Sequence, residues 1–401
     1  MLRRGVEVDI DSLVKEEGNH RALIQEVESL RAEQNVANIK IRDADKGSRA
    51  DAIDEARRLS EELKSAEASL KERKAAIDSK LADLPNLVHP DAPLGFGDDS
   101  NTVLREVGEQ ITGGNDHLEL GESLGVIDVE RAAKVSGSRF GILRGEAALL
   151  ELAMVRFTLD LLAGEGFVPV IPPVLVRESA MFGTGFFPTD EQQVYKTAAD
   201  DLYLAGTSEV PLAAMHAAEV FDEKQLPVRY AGFSTCFRRE AGTYGKDTRG
   251  IIRVHQFDKV EMFSFVPPAS SDSEHAFLVE LEERVFQALE IPYRVIEICA
   301  GDLAAPNYRK FDIEAWLPGS ARWLEVTSCS NDIDYQSRRL SIRMKAKDAN
   351  PFVHTLNGTG ISVQRGIVAL FENHQQKDGS VAIPDALRPF TGFSSIGPSS
   401  S

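Results

Sequence analysis

Residues 233–263, FSTCFRREAGTYGKDTRGIIRVHQFDKVEMF, decide the fold: two runs rich in aromatic and β-branched residues flank a loop punctuated by Gly242, Gly245 and Gly250. The runs cover 229–237 and 253–263. Such composition favours pleated, half-buried strands, and glycine supplies the turn conformations between them, so the stretch reads as a long antiparallel hairpin. At its mouth stand Arg238, Arg239 and Glu240. Side chains alternate along a strand, so Arg238 and Glu240 share a face. A guanidinium beside a carboxylate suits a ligand carrying phosphate together with amine or hydroxyl groups. The competing reading is an ordinary cross-strand ion pair, which contributes little when exposed.

Downstream, residues 352–357 read as a strand, and Gly358-Thr359-Gly360 opens the helical pattern Ile361, Val363, Ile367, Val368, Leu370 and Phe371. Strand, glycine turn and helix N-terminus make a natural anion site, with Arg365 one turn inside the helix. Close packing of helix on strand accounts for the same glycines without any ligand. Helical patterns over 146–164, 273–290 and 361–376, combined with strands in hairpin order, predict an α+β body with an antiparallel sheet flanked by helices. The body is expected over 102–393.

The first 85 residues are of another kind. Glu, Lys, Arg, Ala and Leu dominate, proline is absent before Pro85, and apolar positions recur at helical spacing: Leu13, Leu23, Val27, Leu30, Ala37 and Ile41, then Ala56, Leu59, Leu63, Ala66, Leu70, Ile77, Leu81 and Leu84. Gly47-Ser48 breaks the two runs, which predicts an antiparallel two-helix coiled-coil arm, a rod of roughly 45 Å. Its stripe is too narrow for a globular core, so the rod is expected to project. Lys40, Arg42, Lys46 and Arg49 near its tip, with Arg57 and Arg58, are candidates for a phosphate backbone or are an ordinary solvated surface. Residues 86–101, dense in Pro, Gly and Asp, read as a linker, and the Ser-Gly-Pro run over 394–401 as a disordered tail.

Composition narrows the classes. A chain of 401 residues with 42% hydrophobic content can fill one large domain plus an appendage. A net charge of -18 argues against coating nucleic acid nonspecifically, though not against a local basic surface. Cys236, Cys299 and Cys329 form no Cys-x-x-Cys pair, which points away from a disulfide framework or zinc ribbon and toward a reducing compartment. No apolar stretch approaches the roughly 20 residues that span a bilayer, and the start turns acidic too soon for a signal peptide, so a cytoplasmic protein without membrane contact is expected.

Together these segments resemble class II aminoacyl-tRNA synthetases, specifically bacterial-type seryl-tRNA synthetases. The hairpin resembles motif 2, residues 358–375 motif 3, and 166–173 (GFVPVIPP) motif 1; 206–212 (GTSEVPL) is similar to the Thr-x-Glu serine loop, and 322–344 (RWLEVTSCSNDIDYQSRRLSIRM) to the Glu-x-x-Ser-Cys-Ser-Asn segment. The resemblance implies L-serine, ATP and Mg2+ as small partners, tRNA(Ser) as acceptor with tRNA(Sec) open as a second, and a homodimer built on motif 1. By residue, it implies that Arg238 and Arg365 are catalytic, that Arg238, Arg239, Glu240, Val254, Glu325, Val326, Thr327, Ser328 and Arg365 bind ATP, and that Glu325 and Ser328 hold the metal. Thr207, Ser208, Glu209, Arg238, Glu261 and Thr359 are implied to bind serine, and Lys40, Arg42, Lys46 and Arg49 to bind tRNA.

The chemistry agrees with those residue types. A substrate carboxylate is already anionic near neutral pH, so its attack on the α-phosphate needs positioning and charge stabilisation and no general base. His255 and His354, which flank the motifs, are accordingly read as structural. For Glu261 a cross-strand lysine such as Lys259 is the plain alternative, and for Thr207 and Ser208 it is helix capping before Pro211. The sequence departs from the family in three places. Ser362 and Gln364 replace small residues of motif 3, 301–310 differs from the commoner form, and the chain starts at the Arg-Arg-Gly segment that another helix usually precedes; a longer reading frame or a different base to the arm is expected. A carrier-loading relative without an arm and a non-catalytic tRNA-binding regulator are the rivals. The arm counts against the first, and the presence of Arg238, Glu240 and Arg365 against the second.

Overall fold

The computed structural model describes residues 1–242, 249–347 and 349–397, so Gly245 of the hairpin loop lies outside the described residues. The chain divides into Met1–Pro85 and Asn86–Ser401.

In the first unit, helix α1 (Ile10–Asp43) runs antiparallel to α2 (Arg49–Ala82). Each has 34 residues, about 50 Å at 1.5 Å per residue. Asp9 starts α1 by accepting from the Ser12 amide at 2.9 Å. The turn between the helices is tied by Asp45, whose carboxylate accepts from the Gly47 and Ser48 amides and the Ser48 hydroxyl. Ala37, Ala56 and Leu59 are buried between the helices with Leu30 and Ile41 against them. The ion pairs Arg31–Glu67 and Lys80–Glu16 join the helices at 2.7 and 2.6 Å.

The second unit is built on eight strands: β1 (Thr102–Val107), β2 (Val168–Val170), β3 (Val228–Phe237), β4 (Gln256–Val266), β5 (Tyr293–Glu297), β6 (Arg309–Leu317), β7 (Arg322–Ile333) and β8 (His354–Ser362). Their order across the sheet is β1-β5-β6-β7-β8-β4-β3-β2. All pairs are antiparallel except β2 with β3. Helices α3 (Glu146–Gly164), α4 (Ser271–Ala288) and α5 (Val363–His374) pack on the sheet, with Leu150, Met154, Phe286, Ile361 and Phe371 in one continuous core. Among the described residues no helix is long and apolar enough to cross a membrane.

Four expectations change. Gly358-Thr359-Gly360 lies inside β8 and makes no turn. A Cβ on Gly358 would stand 3.0 Å from Met262 Cε and 3.1 Å from Glu282 Oε1, and one on Gly360 3.1 Å from Thr158 Cγ2; these glycines admit α4 and α3 to the back of the sheet. The second hairpin strand starts at Gln256, because the His255 amide leaves the ladder to donate to the Arg139 carbonyl at 2.9 Å. Residues of the expected linker lie on the body: Asn86 Nδ2 donates to the Pro306 and Asp332 carbonyls, and the Ala300 amide to the Pro93 carbonyl. Within the expected disordered tail, Ser395–Ile396 pairs with Val381–Ala382 and buries Ile396.

Candidate active site

A cavity of about 410 Å³ opens among β3, β4, β6, β7, β8 and the first turn of α5. Arg238 leaves the end of β3, where its amide still pairs with the His255 carbonyl at 2.9 Å. Its side chain is held from two sides, with Nε donating to the Gly206 carbonyl at 3.2 Å and the guanidinium 5.3 Å from the Phe257 ring centre. Glu240 takes a φ of 49°, a conformation a non-glycine residue seldom adopts, and its carboxylate stands 3.3 Å from Arg253. Arg365, at the third position of α5, donates from Nη1 to the Glu325 carbonyl at 2.7 Å and to its carboxylate at 3.1 Å. Arg238, Glu240, Val254, Glu325 and Arg365 therefore line one end of the cavity together.

The other end is a nest of buried polar groups. Glu261 on β4 is paired in register with Thr359 on β8 and bonded to Lys259 two residues back. Burial raises the Glu261 carboxyl above its ordinary value, opposed by Lys259. Glu209 accepts from Gln336 Nε2 at 2.7 Å and Asn357 Nδ2 at 3.3 Å. Burial, with the charges of Asp332 and Glu261, pushes the Glu209 carboxyl up to about 8. Thr207 joins them, its hydroxyl accepting from the Glu209 amide at 3.2 Å.

Two expected residues point elsewhere. The Ser208 hydroxyl donates to the Gly232 carbonyl at 3.0 Å, so it neither reaches the cavity nor caps the short helix Glu209–Ala214. Arg239 falls between Arg238 and Glu240 and takes the opposite direction, lining a separate hollow with Tyr195, Lys196 and Tyr203. Val326 and Thr327 touch the cavity, but the Val326 side chain belongs to the core and the Thr327 hydroxyl donates to Glu282 at 2.7 Å. The Ser328 hydroxyl donates to Asp312. His255 bonds through Nδ1 with the Arg238 carbonyl at 2.9 Å and His354 is held below its ordinary pKa by burial; neither lines the cavity.

Among the described residues, no group of three His, Cys, Asp or Glu side chains could cage a metal ion by itself. Glu325 offers one carboxylate, bonded to Arg365 at 3.1 Å. Burial acting alone would raise its pKa, but Lys310, Arg365 and Arg238 hold it below the ordinary value. One ionised carboxylate beside a serine hydroxyl fits a Mg2+ that keeps waters and phosphate oxygens as its remaining ligands.

In the arm, Lys40 pairs with Glu55 at 3.7 Å and Arg42 with Asp43 at 3.1 Å, while Lys46 and Arg49 are exposed at the turn. The reading of the sequence missed Asn357, Phe257, Arg253, Asn307 and Lys310, all of which line the cavity, and named Lys259 only as the plain partner of Glu261, a pairing that the structure contains. Asn357 carried a signal, since it lies two residues before Thr359 on the same face of a strand.

Comparison with known proteins gives a consistent picture. The family model described as tRNA synthetase class II core domain (G, H, P, S and T) matches residues 193–374, and the one described as seryl-tRNA synthetase N-terminal domain matches 1–88. The serine-tRNA ligase of Rubrobacter xylanophilus is 48% identical over 401 residues, covering 98% of this chain and 95% of the relative. That of Acidothermus cellulolyticus is 51% identical over 392 residues, covering 97% and 93%. The crystal structure of seryl-tRNA synthetase from Pyrococcus horikoshii complexed with ATP superposes with a TM-score of 0.91 at 41% identity, covering 99% of this chain and 96% of that one.

Proposed function

The chain belongs to the class II seryl-tRNA synthetases and is a serine-tRNA ligase, and from that premise we propose how its residues divide the work. The observation that carries the assignment is the polarity of the cavity, with arginines at one end and a buried carboxylate-hydroxyl nest at the other. ATP occupies the arginine end. Arg238 bridges the α-phosphate and the serine carboxylate, Arg365 holds the γ-phosphate, and Glu240 with Val254 faces the adenine. The serine carboxylate oxygen attacks the α-phosphorus, forming a P–O bond as the bond to pyrophosphate breaks. Both guanidiniums stabilise charge that develops on the phosphate oxygens. A Mg2+ held by Glu325 and Ser328 would neutralise phosphate charge when bound. The terminal ribose hydroxyl of tRNA(Ser) then attacks the acyl carbon and releases AMP.

Serine sits over the nest, its ammonium on Thr207 and Glu209 and its hydroxyl between Glu261 and Thr359. Alanine would leave those buried groups unpaired, and that penalty is the basis of its rejection. Lys40, Arg42, Lys46 and Arg49 contact the tRNA backbone, and three buried free thiols suit a reducing, cytoplasmic setting. The test is ATP-pyrophosphate exchange with each amino acid in turn, followed by charging of tRNA(Ser) and tRNA(Sec) transcripts. Exchange driven by serine alone is expected; equal exchange with alanine or threonine sinks the assignment.

A further inference from the structure

Residue 364 sits on a seam between three elements. Pairing between β4 and β8 ends at Lys259–Ser362, where β8 turns into α5, so the next amide of β4, that of Asp258, has lost its strand partner on that side. The side chain of Gln364 supplies the missing rung, since its Oε1 accepts from the Asp258 amide at 2.8 Å. Its Nε2 donates in turn to Glu151 Oε1 on α3 at 3.5 Å. The Asp258 carboxyl neighbours Glu151, and burial together with that neighbour pushes the Glu151 carboxyl up to about 8. Arg365 is the next residue in the chain.

We propose that Gln364 is a positioning residue for ATP, joining the first turn of α5 to β4 and α3 and so fixing the guanidinium of Arg365 over the nucleotide end of the cavity. The inference rests on the phosphate-binding role given above to Arg365. Gln364 itself need not touch the reacting atoms, and a side chain that acts only on ATP placement should alter apparent ATP binding without altering turnover at saturation.

The experiment is steady-state ATP-pyrophosphate exchange with the full chain. Gln364→Ala and the volume-preserving Gln364→Met are each expected to raise KM for ATP about fivefold, with kcat and KM for serine unchanged within about twofold. Glu151→Gln retains a donor toward Asp258 and an acceptor toward Gln364, and is expected to keep wild-type KM for ATP, whereas Glu151→Ala reproduces Gln364→Ala. Gln364→Ala combined with Arg365→Ala should lose no more than Arg365→Ala alone, because the two act as one unit. An unchanged KM for ATP in both Gln364 variants, an equal rise in KM for serine, or additive losses in the double variant overturns the proposal. Absence of serine-dependent exchange in the wild-type protein would instead overturn the reading of the site on which it rests.

Discussion

Glu209 is almost wholly buried and faces two other carboxyl groups, which push its carboxyl up to about 8. A serine ammonium placed against it reverses that balance, because a cation at hydrogen-bonding distance favours the ionised form. Binding then releases a proton wherever free Glu209 is still protonated, that is, below about pH 8, and the release fades above it. The sign follows from linkage: a process that gives up protons is strengthened by raising the pH, so serine affinity should rise toward pH 8 and level off beyond. Titration calorimetry near pH 7 in two buffers of unlike ionisation enthalpy should show close to one proton released, and none for Glu209→Gln. Enthalpies that do not depend on the buffer would place the ammonium elsewhere. The role proposed for Arg238 is to supply charge in the transition state rather than a proton site, and on that role Arg238→Ala is expected to lower serine-dependent exchange by on the order of 3 kcal/mol or more, at least about a hundredfold in kcat/KM.

At the scale of elements, β8 is the strand on which both layers depend, since Thr359 faces the cavity while Gly358 and Gly360 face the helices. A Cβ on Gly360 meets Thr158 Cγ2 at 3.1 Å, Leu162 Cδ1 at 3.2 Å and the Val260 carbonyl at 3.2 Å. Gly360→Val therefore overpacks the seam between α3 and the sheet and should cost about 1–3 kcal/mol, read as a lowered midpoint in chemical denaturation with serine exchange impaired in parallel. A midpoint equal to wild type would show that the helix yields freely. The same strand marks the boundary of what was legible in the sequence. The hairpin and α3 were visible because their signals are local, in composition and periodicity. The glycines of β8 were misread as a turn because their reason lies in another layer, in side chains of helices more than 70 residues earlier in the chain. Alternation along a strand implied that Arg239 would diverge from Arg238 and that Asn357 would join Thr359, so those positions were recoverable once the phase was known. The bond from Gln336 to Glu209 spans 127 residues, and the hydroxyl of Ser208 found a carbonyl on β3; neither has a local signature.

Every described residue lining the cavity belongs to the second unit, so replacing residues 14–81 by a short linker should leave pyrophosphate exchange within about twofold and abolish tRNA charging. Equal loss of both activities would make the arm part of the catalytic fold. One face of α3 buries Leu150, Ala153, Met154 and Leu162, yet the opposite face leaves Leu149 and Leu152 51% and 62% exposed, and nearby in the chain Val168 and Ile171 are 56% and 82% exposed. A helix apolar on both faces is suited to burial on both. A second copy, related by a two-fold axis, would cover such residues with their own equivalents, and an interface of that kind needs to bury on the order of 1,200 Å² or more to be stable. We therefore expect a homodimer at micromolar concentration, and expect Leu152→Glu to dissociate it, because the substitution sets two carboxylates in an apolar contact. Sedimentation of an active wild-type particle at the mass of one chain would remove both the dimer and the role given to the exposed face of α3.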